Sequence, residues 1–221
     1  MPFKTTTIKN LLPASIGLLL LFSITLPAQA QRIHAFVSAG TTFSQIEGDE
    51  LKGFNQCGFT AGVGALSAIS SDYRWGLSLE ALFAQRGSYN KSGDPYNIGI
   101  TLNYIDIPLM VHYQDPYGGM LFGLGLDYGR LVQQPHGIIR YNPNYFIPDT
   151  TDMTFLKNDL AAVADFRFTI WEGLQFNLRW QYSLIPVKRD WVFHEYVGTR
   201  LKEYVHDAHN HTVTLRLIWQ F

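Results

Sequence analysis

The chain has 221 residues, a formal net charge of −1, and is 47% hydrophobic, 14% aromatic and only 16% charged. That balance excludes a disordered or coiled-coil chain. It also lacks the basic excess of a nucleic-acid binder, so no nucleic-acid partner is expected. The single cysteine, Cys57, excludes an intramolecular disulfide framework and a cysteine-rich zinc module. Its place near the top of a strand reads as an inert small residue.

Residues 1–30 read as a secretory signal peptide. Lys4 and Lys9 form the positive start, an apolar stretch covers 11–26, and Ala28-Gln29-Ala30 is an A-x-A cleavage site. Cleavage near Ala30 leaves a single domain over 31–221. No cysteine directly follows the site, which argues against a lipoprotein anchor, and the apolar run, broken by Pro13 and Gly17, is short for an uncleaved transmembrane anchor. Beyond it no stretch of about 18 apolar residues remains, so a membrane-spanning form of this chain has to be a closed β-barrel.

Period-2 alternation dominates the rest, the pattern of strands with two different faces. In 174–184, Leu174, Phe176, Leu178, Trp180, Tyr182 and Leu184 share one face and Gln175, Asn177, Arg179, Gln181 and Ser183 the other. Eight strands are expected at about 32–45, 54–69, 74–89, 99–114, 117–132, 159–171, 173–185 and 209–221. They are longer than the usual 5–6 residues of soluble strands and suit tilted membrane crossings of about 9–11 residues. The connectors alternate: tight turns at 70–73, 115–116 and 172–173, longer ones at 46–53, 90–98, 133–158 and 186–208. Short turns at one end and long loops at the other predict an all-β, eight-stranded antiparallel up-and-down transmembrane β-barrel in the outer membrane, with its termini on the periplasmic side. Pro108, inside a strand with no edge to hide it, predicts a bulge near 106–109.

Alternation alone leaves open a soluble lipocalin-like barrel with its apolar face inward. Two patterns argue for apolar outward. Tyr73, Trp75, Tyr113, Tyr117, Trp171, Trp219 and Phe221 gather at the short-turn end, and Phe43, Phe54, Tyr89, Tyr96 and Tyr128 nearer the long loops, as two interfacial aromatic belts. The polar faces carry Glu80, Asp106, Asp127 and Asp165 against Arg86, Arg167, Arg179 and Arg216. A lipid-facing arginine near the midplane costs about 2–4 kcal/mol, so these eight are expected in the lumen as an ion-pair network. Gly123, Gly125 and Gly129 share a face and leave room for them. An eight-strand lumen holds side chains and little else.

These residues resemble the PorT-like outer-membrane β-barrel family of Bacteroidetes type. The carriers are Ala39-Gly40-Thr41-Thr42-Phe43-Ser44, Gly58-Phe59-Thr60-Ala61-Gly62, Leu79-Glu80-Ala81-Leu82-Phe83-Ala84-Gln85-Arg86-Gly87 and, most specific, Leu102-Asn103-Tyr104-Ile105-Asp106-Ile107-Pro108-Leu109, which looks like the family's L-N-Y-[LI]-[ED]-I-P-L strand. The terminal Phe221, with Trp219 two before it, looks like the signal read by outer-membrane insertion machinery. The resemblance implies an eight-stranded barrel and little chemistry; a subset of the family resembles a component of protein secretion and gliding.

Three chemical constellations stand beside this reading. His206, His209 and His211, with Asp207, form a candidate metal cluster, weighed against solvated loop histidines. Ser183 with His194, His206 and Asp207 is a candidate hydrolase set, without a G-x-S-x-G elbow. The lumenal charges are a candidate ion path, weighed against a charge-balanced core. Tyr141, Tyr145 and Phe146 in one long loop, and Trp191, Phe193 and Tyr196 in the other, either contact a partner or cap the barrel mouth. The expectation is a non-enzymatic envelope scaffold or accessory subunit without catalytic residues or cofactor. Its partners are outer-membrane lipid, the insertion machinery, and a protein bound through 133–158 and 186–208. The alternatives are a small passive channel, a surface metal-binding adhesin or a lipid-modifying enzyme.

Overall fold

The computed structural model describes residues 33–49, 53–89, 97–117, 119–134, 138–140, 154–197 and 200–221. The expected signal peptide, Tyr96, Tyr141, Tyr145 and Phe146 lie outside the described residues, as do the side chains of Phe193, His194 and Tyr196. Ten strands occur in chain order: β1 Ile33–Glu47, β2 Gln56–Ala68, β3 Trp75–Tyr89, β4 Asn97–Gln114, β5 Met120–Gln133, β6 Ile138–Arg140, β7 Asn158–Trp171, β8 Leu174–Ser183, β9 Lys188–Val197 and β10 Arg200–Gln220. Eight of them run β1-β2-β3-β4-β5-β7-β8-β10, each antiparallel to the next, and the pairing of β1 with β10 closes the ring. Closure leaves no open edge in the wall, which is what a sheet needs to cross lipid.

The alternation sorts as its chemistry requires. On β4, Ile105, Ile107, Leu109 and Val111 point out, while Tyr104, Asp106, Met110 and His112 are buried in the lumen. On β5, Phe122, Leu124 and Leu126 point out and Asp127 inward. This continuous apolar exterior exceeds what a water-facing surface sustains, and it excludes the lipocalin-like arrangement. Both belts lie on the outside among the described residues: Tyr73, Trp75, Tyr117, Trp171, Trp219 and Phe221 at the turn end, Phe54, Tyr89 and Tyr128 at the loop end. Cys57 is exposed on the same outer face.

The turn end is built from local signals. Ser70 Oγ donates to Asp72 Oδ1, which also accepts the Arg74 amide at 3.2 Å. These bonds hold the Asp72 carboxyl below the usual carboxylate range. Tyr73 takes a left-handed φ of 57° to complete the turn. The two-residue corner at 172–173 needs the φ of 79° that Gly173 supplies.

Two expectations change. The connector at 186–208 is a β-hairpin: β9 pairs with the first part of β10, from Arg200↔Val197 to Ala208↔Lys188, with an irregularity between His206 and Ala208. β1 reaches only to Glu47, opposite His209, and β8 pairs with β10 only from His211 onward. Residues 200–208 are therefore outside the wall, in a two-stranded extension about 25 Å long. The expected bulge at Pro108 is absent too. Pairing of β3 with β4 breaks only between Leu79↔Leu109 and Leu82↔Asp106, and it resumes in the same register. Proline's missing donor interrupts the ladder there without inserting a residue. The register shift on β4 falls instead between Asn103 and Tyr104, against β5.

Inside, packing is tight where charge is densest. A Cβ on Gly123 would lie 2.5 Å from His112 Nδ1 and 2.6 Å from Asp165 Oδ1. Gly123→Ala is expected to destabilise the barrel by about 1–3 kcal/mol through overpacking. Gly119→Ala, with nothing within 4 Å of the new carbon, is expected to stay within about 0.5 kcal/mol. Urea unfolding of both in detergent checks this, and equal midpoints would contradict it.

The charged lumen as candidate functional site

Two ionic clusters of opposite design occupy the lumen. In the half nearer the short turns, one carboxylate sits among three arginines. Glu80 Oε1 accepts from Arg179 Nη2 at 2.7 Å and Arg167 Nη2 at 3.0 Å, and Oε2 accepts from Arg216 Nη1 at 2.9 Å. Asp165 Oδ2 accepts from Arg179 Nη2 at 2.9 Å and lies 3.5 Å from Arg167 Nη2. In the half nearer the loops, one arginine sits among three carboxylates. Arg86 donates to Asp106, and to Asp127 and Asp159, both at 3.3 Å. The structure thus brings all eight expected lumenal residues into ionic contacts, divided between two separate centres.

Neutral groups complete each centre. Asn177 Oδ1 accepts from Arg216 Nε at 2.9 Å, and Gln181 Nε2 donates to Asp127. Ser183 Oγ and Asn210 Nδ2 donate to Asp159 Oδ2 at 2.9 and 3.2 Å. The Arg86 guanidinium lies over the Tyr104 ring at 5.1 Å, and that of Arg167 over Phe36 at 4.9 Å. Charges removed from water cost several kcal/mol each unless paired and hydrogen-bonded, and this density of partners is what that cost demands.

Sequence reasoning missed two members. Asp159 holds Arg86, and its signal was available: it continues the inward parity of Ala161, Val163 and Asp165. His112 shares the parity of Asp106 and lies opposite Gly123. Its Nε2 is 2.7 Å from Ser78 Oγ, and its Nδ1 is 3.5 Å from Asp165 Oδ1. The order of groups is that of a hydrolase relay, but Ser78 and His112 are both 0% exposed. Buried in this way, the three groups fill and tie the lumen.

Above the Arg86 cluster the lumen turns apolar. Ile46, Ile100, Leu102, Leu131, Val187 and Ala208 are buried together with Phe155 and Trp191. Phe155 and Trp191 meet edge to face at 5.8 Å. Trp191 therefore takes the mouth-capping role of its two expected roles.

Among the described residues the other constellations do not assemble. Ser183 Oγ is bonded to Asp159, while His209 Nδ1 faces the Ser183 carbonyl at 3.1 Å and not the hydroxyl. His206 precedes the irregularity of β10 and pairs with Trp191 on the hairpin. His209 and His211 stand on the barrel's outer face. His211 Nε2 accepts from Trp180 Nε1 at 2.7 Å, its Nδ1 lies 3.2 Å from Glu47 Oε1, and its ring packs edge-on to Phe54 and Tyr182. Among the described residues, no group of three or more His, Cys, Asp or Glu is arranged to hold a metal ion. The histidines at 209 and 211 thus join the upper aromatic belt.

Comparison with models of known families matches residues 16–221 to the outer membrane protein beta-barrel domain. No curated protein matches. Among solved structures, the chain is similar to the attachment invasion locus protein Ail of Yersinia pestis, at 14% identity and a TM-score of 0.46, over 85% of this chain and 98% of that one. It is also similar to OprG of Pseudomonas aeruginosa, at 14% identity and 0.41, over 86% and 97%. A third is Neisserial surface protein A, at 9% identity and 0.41, over 86% and 97%. The fold rests on the strand pairing and the family match; these likenesses add nothing to it.

Replacing Glu80 by Gln leaves the buried Arg216 without a carboxylate and Arg167 and Arg179 with Asp165 alone. It is expected to lower stability by about 3–5 kcal/mol, while Asp72→Asn on the exposed turn leaves the urea midpoint unchanged. Zinc titration of the folded chain in detergent is expected to show no saturable binding at micromolar metal. A saturable isotherm abolished by His209→Ala would contradict the assignment of that histidine to the belt.

Proposed function

The chain belongs to the outer membrane protein beta-barrel domain family and lies in outer-membrane lipid, and from that premise we propose that it acts as a non-enzymatic scaffold or accessory subunit. On this reading the barrel is the anchor, and the β9–β10 hairpin, beyond the wall on the outer side, contacts a protein partner. The observation that carries it is the filled lumen. Two ionic layers and an apolar cap fill the lumen among the described residues, which does not favour solute passage. The complete burial of Ser78 and Ser183 supports a role without catalysis. A finer proposal places the chain in the PorT-like branch, near secretion machinery; its support is the Leu102–Leu109 motif together with the hairpin. Trp219 and Phe221, outward-facing at the end of the closing strand, suit the proposed insertion signal. A cleaved signal peptide over 1–30 belongs to the same proposal.

The test compares cross-linked pull-downs from cells carrying the full chain or one with 188–208 shortened to a tight turn. Partners lost with the hairpin are expected; an identical partner set in both samples would overturn the docking role. Planar-bilayer recordings of the full chain are expected to show no discrete conductance. Steady ion-conducting steps would return the passive-channel reading.

A further inference from the structure

At the short-turn end the lumen opens into a cavity of about 270 Å³. It is smaller than the roughly 300–1,000 Å³ of pockets for drug-sized ligands, so an occupant would be the size of a single amino acid or one aromatic ring. Tyr73, Arg74 and Trp75 form part of its rim, and Arg167 lies at its inner end. No carboxylate is among the described residues that line it.

The charge behind this cavity is unbalanced. The Glu80 cluster holds three arginines, Arg167, Arg179 and Arg216, against two carboxylates, Glu80 and Asp165, which leaves one positive charge in excess. The outer cluster is the reverse, with Arg86 against Asp106, Asp127 and Asp159. The lumen is therefore polarised along its axis, positive toward the cavity. Arg167 is the cation of the excess that reaches the lining, and its Nε has no protein partner. A concave site with low-dielectric walls focuses such a field on whatever enters it. Gln114 and Gln220 line the same space with amides that can donate, Gln175 Nε2 donating instead to Gln220 Oε1 at 3.3 Å, while Leu66 and Leu121 supply apolar wall.

We propose that this periplasm-facing cavity is a binding site for a small organic carboxylate, its apolar body against Leu66 and Leu121 and its charge turned toward Arg167 and the Gln114 and Gln220 amides. The apolar wall selects an organic acid over a bare inorganic anion. The missing carboxylate in the lining makes negative charge the complement, and the filled lumen above makes the periplasm the side of entry. The site is independent of the outer hairpin and stands whether or not that hairpin has a partner.

The test is calorimetric titration of the folded full chain in detergent with benzoate, benzamide and inorganic phosphate. Benzoate is expected to saturate, and benzamide, the neutral isostere, to bind at least about tenfold more weakly. Arg167→Gln is expected to lose benzoate binding, but it also touches the Glu80 cluster. Ala68→Trp therefore serves as the second variant: Ala68 lines the cavity away from the ionic contacts, and indole there fills the space. Binding lost in Ala68→Trp, with heat-modifiable gel mobility retained, supports the site. No saturation by about 10 mM benzoate, equal binding of benzamide, or undiminished binding in folded Ala68→Trp overturns it. Phosphate binding in place of benzoate overturns the organic-acid assignment.

Discussion

An eight-stranded barrel leaves a lumen wide enough for side chains and too narrow for bulk water. Into it this chain places four arginines and five carboxylates, nearly all out of reach of solvent. Each must find its counter-charge within the wall, and the rest of the interior follows from that requirement. Glu80 meets guanidinium groups from β7, β8 and β10; Arg86 meets carboxylates from β4, β5 and β7. These contacts cross the barrel and hold opposite walls in one register. The glycine at 123 clears space for His112 and Asp165, and the gap in the β3–β4 ladder lies beside Glu80, where Pro108 removes a donor.

The same requirement shapes what the protein does. A lumen filled with paired charge and capped by Phe155 and Trp191 is poorly suited to conduct solutes, so the parts open to other molecules lie at its two ends. On the outer side, β10 continues past the wall and carries β9 with it. On the periplasmic side, a small cavity meets the positively charged end of the lumen. The hydrogen bonds and ring contacts of His211 show how a cluster that looks like metal ligands is absorbed by the interfacial belt: Trp180 and Glu47 take both ring nitrogens.

Much of the wall was legible because lipid imposes a simple code. Outward residues must be apolar and inward ones are free to be polar, so a strand of ten or more residues announces both its existence and its faces. The cost of charge in hydrocarbon alone places Arg167, Arg179 and Arg216 inward. The β9–β10 hairpin escaped because beyond the membrane that code lapses. Lys188-Arg189-Asp190 opens β9 without outward apolar residues, and strand pairing there is decided by the neighbouring chain. Asp159 escaped for a different reason: it lies near the start of its strand, where parity is read from one side only. At Pro108 a lost donor does not entail an inserted residue: the barrel keeps its register and drops the pairing locally.

The sequence by itself determined that the chain closes into a β-barrel, which side chains face lipid, and that arginine and carboxylate side chains share the lumen. Each of these follows from period-2 alternation and the cost of charge in hydrocarbon. Only the tertiary structure decided which charges meet, that they divide into two clusters of opposite sign, and that Ser78, His112 and Asp165 align out of reach of substrate. Those outcomes depend on the stagger between strands far apart in the chain. Alternation says on which face a residue lies, but not at what height along the barrel it meets its partner.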